Sequence, residues 1–225
     1  MRKLLAFVLC LLLAVPARAA SGERYVALTF DDGPSGRFTR RLLDGLAARD
    51  AKATFLLCGY RMKDYPELAE RIVEEGHEIG IHGYSHASFC PMTAEEITRE
   101  IRDTAALLPS GCHPLFLRAP GGICGDDARA AAKRDGLAIL SWSVDPQDWA
   151  VRDADAIVRY VTAHTRDGDV ILLHDMSDAS VDAALRIVDI LSARGFRFVT
   201  ATELAQLGGV KLRPGGEYYR FPPPQ

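Results

Sequence analysis

Two adjacent carboxylates, Asp31 and Asp32, lie in the string Thr29-Phe30-Asp31-Asp32-Gly33-Pro34, and two imidazoles four residues apart lie in Ile81-His82-Gly83-Tyr84-Ser85-His86. Imidazoles at that spacing share one face of a helical turn and can chelate a divalent cation. One member of the Asp pair can complete the set while the other, pointing elsewhere, stays free to accept a proton. Two nitrogens and one oxygen with an open position form the donor set of a catalytic metal, which makes Asp32, His82 and His86 candidate ligands and Asp31 a candidate base. Taken singly, Asp-Asp-Gly-Pro also reads as a turn whose carboxylates cap backbone amides.

Three further strings carry chemistry. In Arg118-Ala119-Pro120-Gly121-Gly122 the forked guanidinium can orient a carboxylate, and the unhindered Gly121 N–H can face a developing oxyanion. In Ser143-Val144-Asp145-Pro146-Gln147-Asp148-Trp149, Asp145 is the expected partner for Arg118, and Trp149 offers either a flat aromatic surface or a core side chain. Leu172-Leu173-His174-Asp175 places a histidine where it can protonate a leaving group, its tautomer fixed by a neighbouring carboxylate. His77 precedes its strand and is left out of the site.

These strings follow short apolar runs. Strand-like segments at 25–30, 53–58, 78–81, 115–118, 137–142, 169–174 and 195–199 alternate with segments whose apolar residues recur at three and four spacing, the pattern of parallel βαβ units. Amphipathic helices are predicted over 37–50, 66–76, 93–108, 126–136, 154–166 and 181–195, with Pro66 near the start of the second and a Thr93/Glu96 capping box opening the third. The chemistry-bearing residues therefore fall beyond the C-terminal ends of strands, the face on which α/β barrels build active sites. The reading is an α/β fold of one domain, a TIM-like barrel over 20–208, followed by an irregular Pro/Gly-rich tail over 209–225.

Residues 1–19 combine Arg2 and Lys3, an apolar run and Ala17-Arg18-Ala19, which reads as a cleaved signal peptide. No later stretch reaches about 18 uninterrupted apolar residues, so no membrane span is expected in the mature chain. A secreted, periplasmic or envelope-associated monomer follows. Lys+Arg 27 against Asp+Glu 30 gives no basic excess, so nucleic acid is not an expected partner. Export permits disulfides among Cys58, Cys90, Cys112 and Cys124, and a bridge among Cys58, Cys90 and Cys124 is expected because Cys112 falls at the other end of the strands.

The ordered set of strings resembles the polysaccharide deacetylases of carbohydrate esterase family four, which share the NodB-homology domain, over about residues 25–205. The resemblance implies a deformed (β/α)7 barrel and hydrolysis of the acetyl group of N-acetylglucosamine-type residues in a peptidoglycan or chitin-like glycan. It further implies Zn2+, with Co2+ or another divalent metal also fitting, on Asp32, His82 and His86. Asp31 is then the base, braced by Arg118, which Asp145 holds in turn. Gly121 is implied at the oxyanion, Trp149 on the groove, Leu172 beside the acetyl methyl and His174 as acid. Gly83 stands where the family usually has Thr or Ser, and Gly121 where a bulkier residue is common. O-deacetylation of acetylated xylan by the same residues, and a non-catalytic glycan-binding barrel, are the alternative readings.

Overall fold

A computed structural model describes residues 22–122 and 124–224; the expected leader lies outside the described residues. The strand β1 (Arg24–Asp31) is the hub. Val26, Ala27, Leu28 and Phe30 are all buried, as befits a strand covered on both faces. Its eight residues are enough for three parallel partners: β2 (Thr54–Leu57) on one side, β6 (Val170–His174) on the other, and β7 (Phe196–Val199) along its first half. Beyond β2 follow β3 (Glu78–Ile81), β4 (Phe116–Leu117) and β5 (Ala138–Leu140). All seven predicted strands are present, in one parallel sheet curled into a deformed barrel.

Between them run α1 (Gly36–Ala47), α2 (Gly59–Asp64), α3 (Pro66–Glu74), α4 (Ala94–Ala105), α5 (Asp126–Arg134), α6 (Ala154–His164) and α7 (Asp178–Ala193), with α8 (Ala201–Leu207) after β7. The Thr93/Glu96 capping box opens α4 as expected. The short α2 and α8 were not anticipated, since neither is long enough to display a helical period. Among the described residues, no helix is long and apolar enough to cross a membrane.

Alternation along each strand sorts side chains by face. Leu28, Phe30, Phe55, Leu57, Ile79, Ile171 and Leu173 pack outward with apolar residues of α1, α3, α6 and α7, and Ile81, Leu117 and Ile139 with those of α4 and α5. On the inner face Ala27, Leu56, Phe116, Ala138, Leu140 and Val170 form a separate cluster, joined by Ala201 and Leu204 of α8. Gly80 of β3 shares this face, since a Cβ there would meet Leu56 and Phe116; counting onward by twos from Ala27, Gly80, Phe116 and Val170 reaches Thr29 and Asp31, His82, Arg118, and Leu172 and His174.

Most of the described tail is turn and irregular chain, with one element that the sequence did not indicate. Glu217–Tyr218 forms an additional strand, β8, parallel to β5, and Arg220 bridges to Asp169 ahead of β6. It lies on the side of β5 that faces β6, and past the end of β5 the chain reaches β6 itself through the Val144–Ile171 bridge. Phe221 then buries its ring against Tyr218 and Phe116, at centroid separations of 5.6 and 6.5 Å. Its backbone passes so close to Gly168 that a Cβ there would lie 2.3 Å from the Phe221 carbonyl oxygen, and Gly168 also has a φ of 83°, so glycine is required twice over.

The expected disulfide is not formed. Cys58, Cys90, Cys112 and Cys124 are all free thiols, and Cys58 is buried with its sulfur 3.8 Å from the His82 carbonyl oxygen. It is packed into the protein beneath the His82 loop.

Truncating Phe221 to Ala leaves a cavity in this seal and is expected to cost about 3–5 kcal/mol of stability in urea unfolding; a loss below about 1 kcal/mol would show that the tail is not part of the core.

Candidate active site

Strand register brings the predicted residues to one level. Asp31 of β1 pairs with His174 of β6, Leu57 with Ile81, and Ile81 with Leu117. The ladder continues one residue further, through His82 N–H to Leu57 O and Arg118 N–H to Ile81 O, each at 2.9 Å. His82 and Arg118 are thus held by strand hydrogen bonds although they stand past the strand ends.

Arg118 is the largest fully buried side chain, and every part of its fork is used. Nε donates to Leu140 O at 2.7 Å, Nη2 to Ser141 O at 3.1 Å, and Nη1 to Thr29 Oγ1 at 2.9 Å and Asp31 Oδ1 at 2.6 Å. This corrects the expected pairing. Asp145 is not a partner of Arg118; its Oδ1 accepts the Gln147 N–H at 2.7 Å in a local turn. The reason is reach: the carbonyls at the end of β5 already occupy the edge of the guanidinium that a carboxylate would need.

The residue that sequence reasoning missed is Asp148. It is 1% exposed and accepts two hydrogen bonds from His174, from the ring Nδ1 at 2.8 Å and the backbone N–H at 2.9 Å. The Nδ1 contact leaves Nε2 to face the cavity. Burial alone would lower the His174 pKa, but the Asp148 carboxylate, reinforced by Asp31 and Asp32, raises it to about 9. The only sequence signal for Asp148 was its place in the same string as Asp145, three residues on. Asp175, the sequence neighbour, instead turns away, buried against Thr39 and the Ser35 hydroxyl; burial raises its pKa to about 6.

Asp32, His82 and His86 converge. Asp32 Oδ1 lies 3.3 Å from His82 Nε2 and 2.9 Å from His86 Nε2. His82 Nδ1 contacts the Arg118 carbonyl oxygen at 2.9 Å, so Nδ1 carries the proton and the Nε2 lone pair points inward. Asp32 Oδ1 is buried with no hydrogen-bond donor among the described residues. An orphaned carboxylate oxygen facing imidazole lone pairs suits a divalent cation, and one ligand atom from each of the three residues lies within 4.8 Å of the others. Asp32 and His86 both have positive φ, 72° and 62°, a backbone cost borne where it aims a ligand.

The loop between the two histidines is shaped by Glu100 of α4, which sequence reasoning also missed. Its carboxylate accepts the Tyr84 and Ser85 N–H groups at 2.7 and 2.8 Å and the Ser85 hydroxyl at 2.9 Å. Gly83 suits this loop for two reasons: its φ is 77°, and a Cβ would meet Glu100 and Phe89 at 3.3 Å. Gly121 also has positive φ, 69°, with open space where a side chain would be.

Every predicted site residue except Arg118 lines one cavity of about 400 Å³: Asp31, Asp32, His82, His86, Gly121, Asp145, Trp149, Leu172 and His174, joined by Gly122, Trp142 and Gln147. Arg118 lies beneath it, under Asp31. Trp149 is 64% exposed and so belongs to the cavity wall, not to the core. The open cavity has a carboxylate braced by a buried cation, a cation-binding triad and an acid-capable imidazole on its walls, the parts of a metal-assisted hydrolase.

Residues 18–140 match the family model described as polysaccharide deacetylase. The chain is 36% identical over 187 residues to the peptidoglycan-N-acetylmuramic acid deacetylase PdaC of Bacillus subtilis, covering 82% of this chain and 39% of that protein, so it spans well under half of that relative. It is 37% identical over 195 residues to a chitooligosaccharide deacetylase of Sinorhizobium fredii, covering 80% of this chain and 91% of the relative. Among solved structures, a family 4 acetyl xylan esterase from Clostridium thermocellum in complex with a cobalt ion superposes with a TM-score of 0.82 at 34% identity, covering 88% of this chain and 100% of that one.

Because Arg118 and Asp31 are 1% and 5% exposed at their side chains, removing one partner strands the other charge. Arg118→Ala is expected to cost about 3–5 kcal/mol in urea unfolding, with part of the loss recovered by adding Asp31→Asn. Equal stability of the single and double variants would show that the pair carries no such charge.

Proposed function

Since the chain belongs to the polysaccharide deacetylase family, we propose that it is an exported, divalent-metal-dependent hydrolase that removes acetyl groups from N-acetylated sugars of a glycan, releasing acetate and a free amino sugar. The observation that carries this reading is the meeting, in one cavity, of the Arg118-braced Asp31, the Asp32/His82/His86 triad and the Asp148-oriented His174. A cation held by the triad, Zn2+ or Co2+, would polarise the acetamide carbonyl and lower the pKa of a water.

The chain's own groups move the protons. Arg118 occupies Asp31 Oδ1, leaving Oδ2, which lies 3.8 Å from His82 Nε2, on the triad side to take a proton from the attacking water. The resulting hydroxide oxygen bonds to the carbonyl carbon. Gly121 is the candidate backbone donor to the developing oxyanion, a contact of the kind worth roughly 10²–10³ in rate. As the C–N bond breaks, His174 Nε2 gives its proton to the nitrogen, and Asp148 stabilises the charged imidazole until then. Leu172 and Trp149 supply apolar wall and sugar-facing surface. A leader at 1–19 would place the enzyme at the cell envelope, where such glycans lie.

Removal of O-acetyl groups from xylan is the second reading, favoured by the likeness to the acetyl xylan esterase. An ester leaving group needs less protonation, so acetate release from N-acetylglucosamine oligomers and from acetylated xylan, compared in wild type and His174→Ala, separates them. The N-deacetylase reading expects the amide substrate to lose about 10²–10⁴ in kcat, the span of general acid–base catalysis; turnover of xylan alone would overturn it.

Asp31→Asn is expected to retain bound zinc while kcat falls by roughly 10²–10⁴, whereas His82→Ala loses both. An Asp31→Asn enzyme at full rate would remove Asp31 as base. The pH profile tests His174. The acid form is needed, so activity falls as pH rises through the His174 pKa, which Asp148 holds up. Asp148→Asn withdraws that support and is expected to move the basic limb of the kcat profile to lower pH; an unmoved limb would show that His174 is not the acid.

A further inference from the structure

Beside the catalytic cavity lies a second one of about 440 Å³, sharing Asp32, Trp149 and His174 as a common wall and continuing over Phe38, Arg152 and Met176 to the start of α7. A glycan whose acetamido sugar occupies the first cavity must run its neighbouring unit along an adjoining wall, and Trp149, exposed and common to both cavities, is the surface it would cross.

The charges on this second wall are unevenly committed. Asp148 is tied to His174, and Asp32 faces the two imidazoles. Asp178 is held by two arginines of α1, Arg37 at 2.9 Å and Arg41 at 3.0 Å, and Arg41 also reaches Asp182. Arg152 is different. It is exposed, and no carboxylate among the described residues pairs with it; the acids nearest in sequence are used elsewhere, Asp153 capping the Asp155 and Ala156 N–H groups of α6 and Asp155 pairing with Arg186. An uncommitted guanidinium on the wall of a sugar-sized cavity is suited to a planar carboxylate, which it can meet with two parallel hydrogen bonds.

Resting on the deacetylase reading, we propose that this second cavity is a subsite for a carboxylate-bearing sugar next to the one that is deacetylated, and that Arg152 is the residue that reads the carboxylate. The enzyme then prefers an acidic glycan over a neutral one. The carboxylate can be a lactyl ether, as on a muramic-type sugar, or a uronate; both present the same two oxygens, on arms of different length.

The test is a ratio. Oligomers in which N-acetylglucosamine alternates with a lactyl-ether sugar, or with a uronate, are each compared with their own carboxamide forms, and kcat/KM is measured at low and high salt for wild type, Arg152→Gln and Arg152→Glu. Wild type is expected to favour at least one acid over its amide by about fivefold, the worth of roughly 1 kcal/mol for a partly exposed charge-assisted contact, and the acid preferred identifies the source. Arg152→Gln is expected to bring that ratio near one and Arg152→Glu to invert it, with the preference shrinking in high salt. A wild type that turns over all the oligomers with a ratio indifferent to residue 152 overturns the subsite alone. No turnover of any oligomer overturns the deacetylase reading and the subsite with it.

Discussion

The site depends on one buried ion pair. A guanidinium and a carboxylate withdrawn from water lose several kcal/mol of solvation each, and their attraction repays it only if the remaining donors are satisfied. Arg118 goes most of the way by giving three of its other N–H groups to Leu140 O, Ser141 O and Thr29 Oγ1. The end of β5 must therefore sit where its two carbonyls reach Arg118. The tail holds it there: β8 pairs with β5, the Ser141 N–H donates to Tyr218 O, and the Ser141 hydroxyl donates to Glu217. A surface feature of the sequence, its last dozen residues, thus bears on the orientation of the proposed base.

The second constraint is the two-residue period of a strand. Asp31, His82, Arg118, Leu172 and His174 continue the inner-face rows begun by Ala27, by Gly80, by Phe116 and by Val170. A one-residue slip in any strand would send its functional side chain to the helix-covered face. The apolar outer rows, packed under α1, α3, α6 and α7 or under α4 and α5, make such a slip costly. Packing on the outside thereby fixes chemistry on the inside.

Much of this was legible in the residues. Both-face apolar runs marked the seven strands, and polar strings just past their ends marked the cavity, because local pattern and position along a strand are properties of sequence. Choosing between Asp145 and Asp148 was not possible in that way: both follow the same strand three residues apart, and what separates them is the loop path that buries Asp148 beneath His174 and leaves Asp145 to close a turn. Glu100 was invisible for a similar reason, being one of several acids on an amphipathic helix and distinguished only by the loop it faces. The strand β8 has two residues, too few for any period to show, and its pairing is set by the gap it fills. The expected disulfide failed because end of sheet and depth of burial are different coordinates, and only the first could be inferred.

The central claim is that the Asp32/His82/His86 triad and the Arg118-braced Asp31 act as one hydrolytic centre. Titrating Zn2+ into metal-free protein while following acetate release from an N-acetylglucosamine tetramer tests it most directly. Acetate release is predicted to rise in proportion to added cation and to level off at one equivalent per chain. Turnover that is indifferent to the cation, or none at saturating cation on any acetylated glycan, would contradict it.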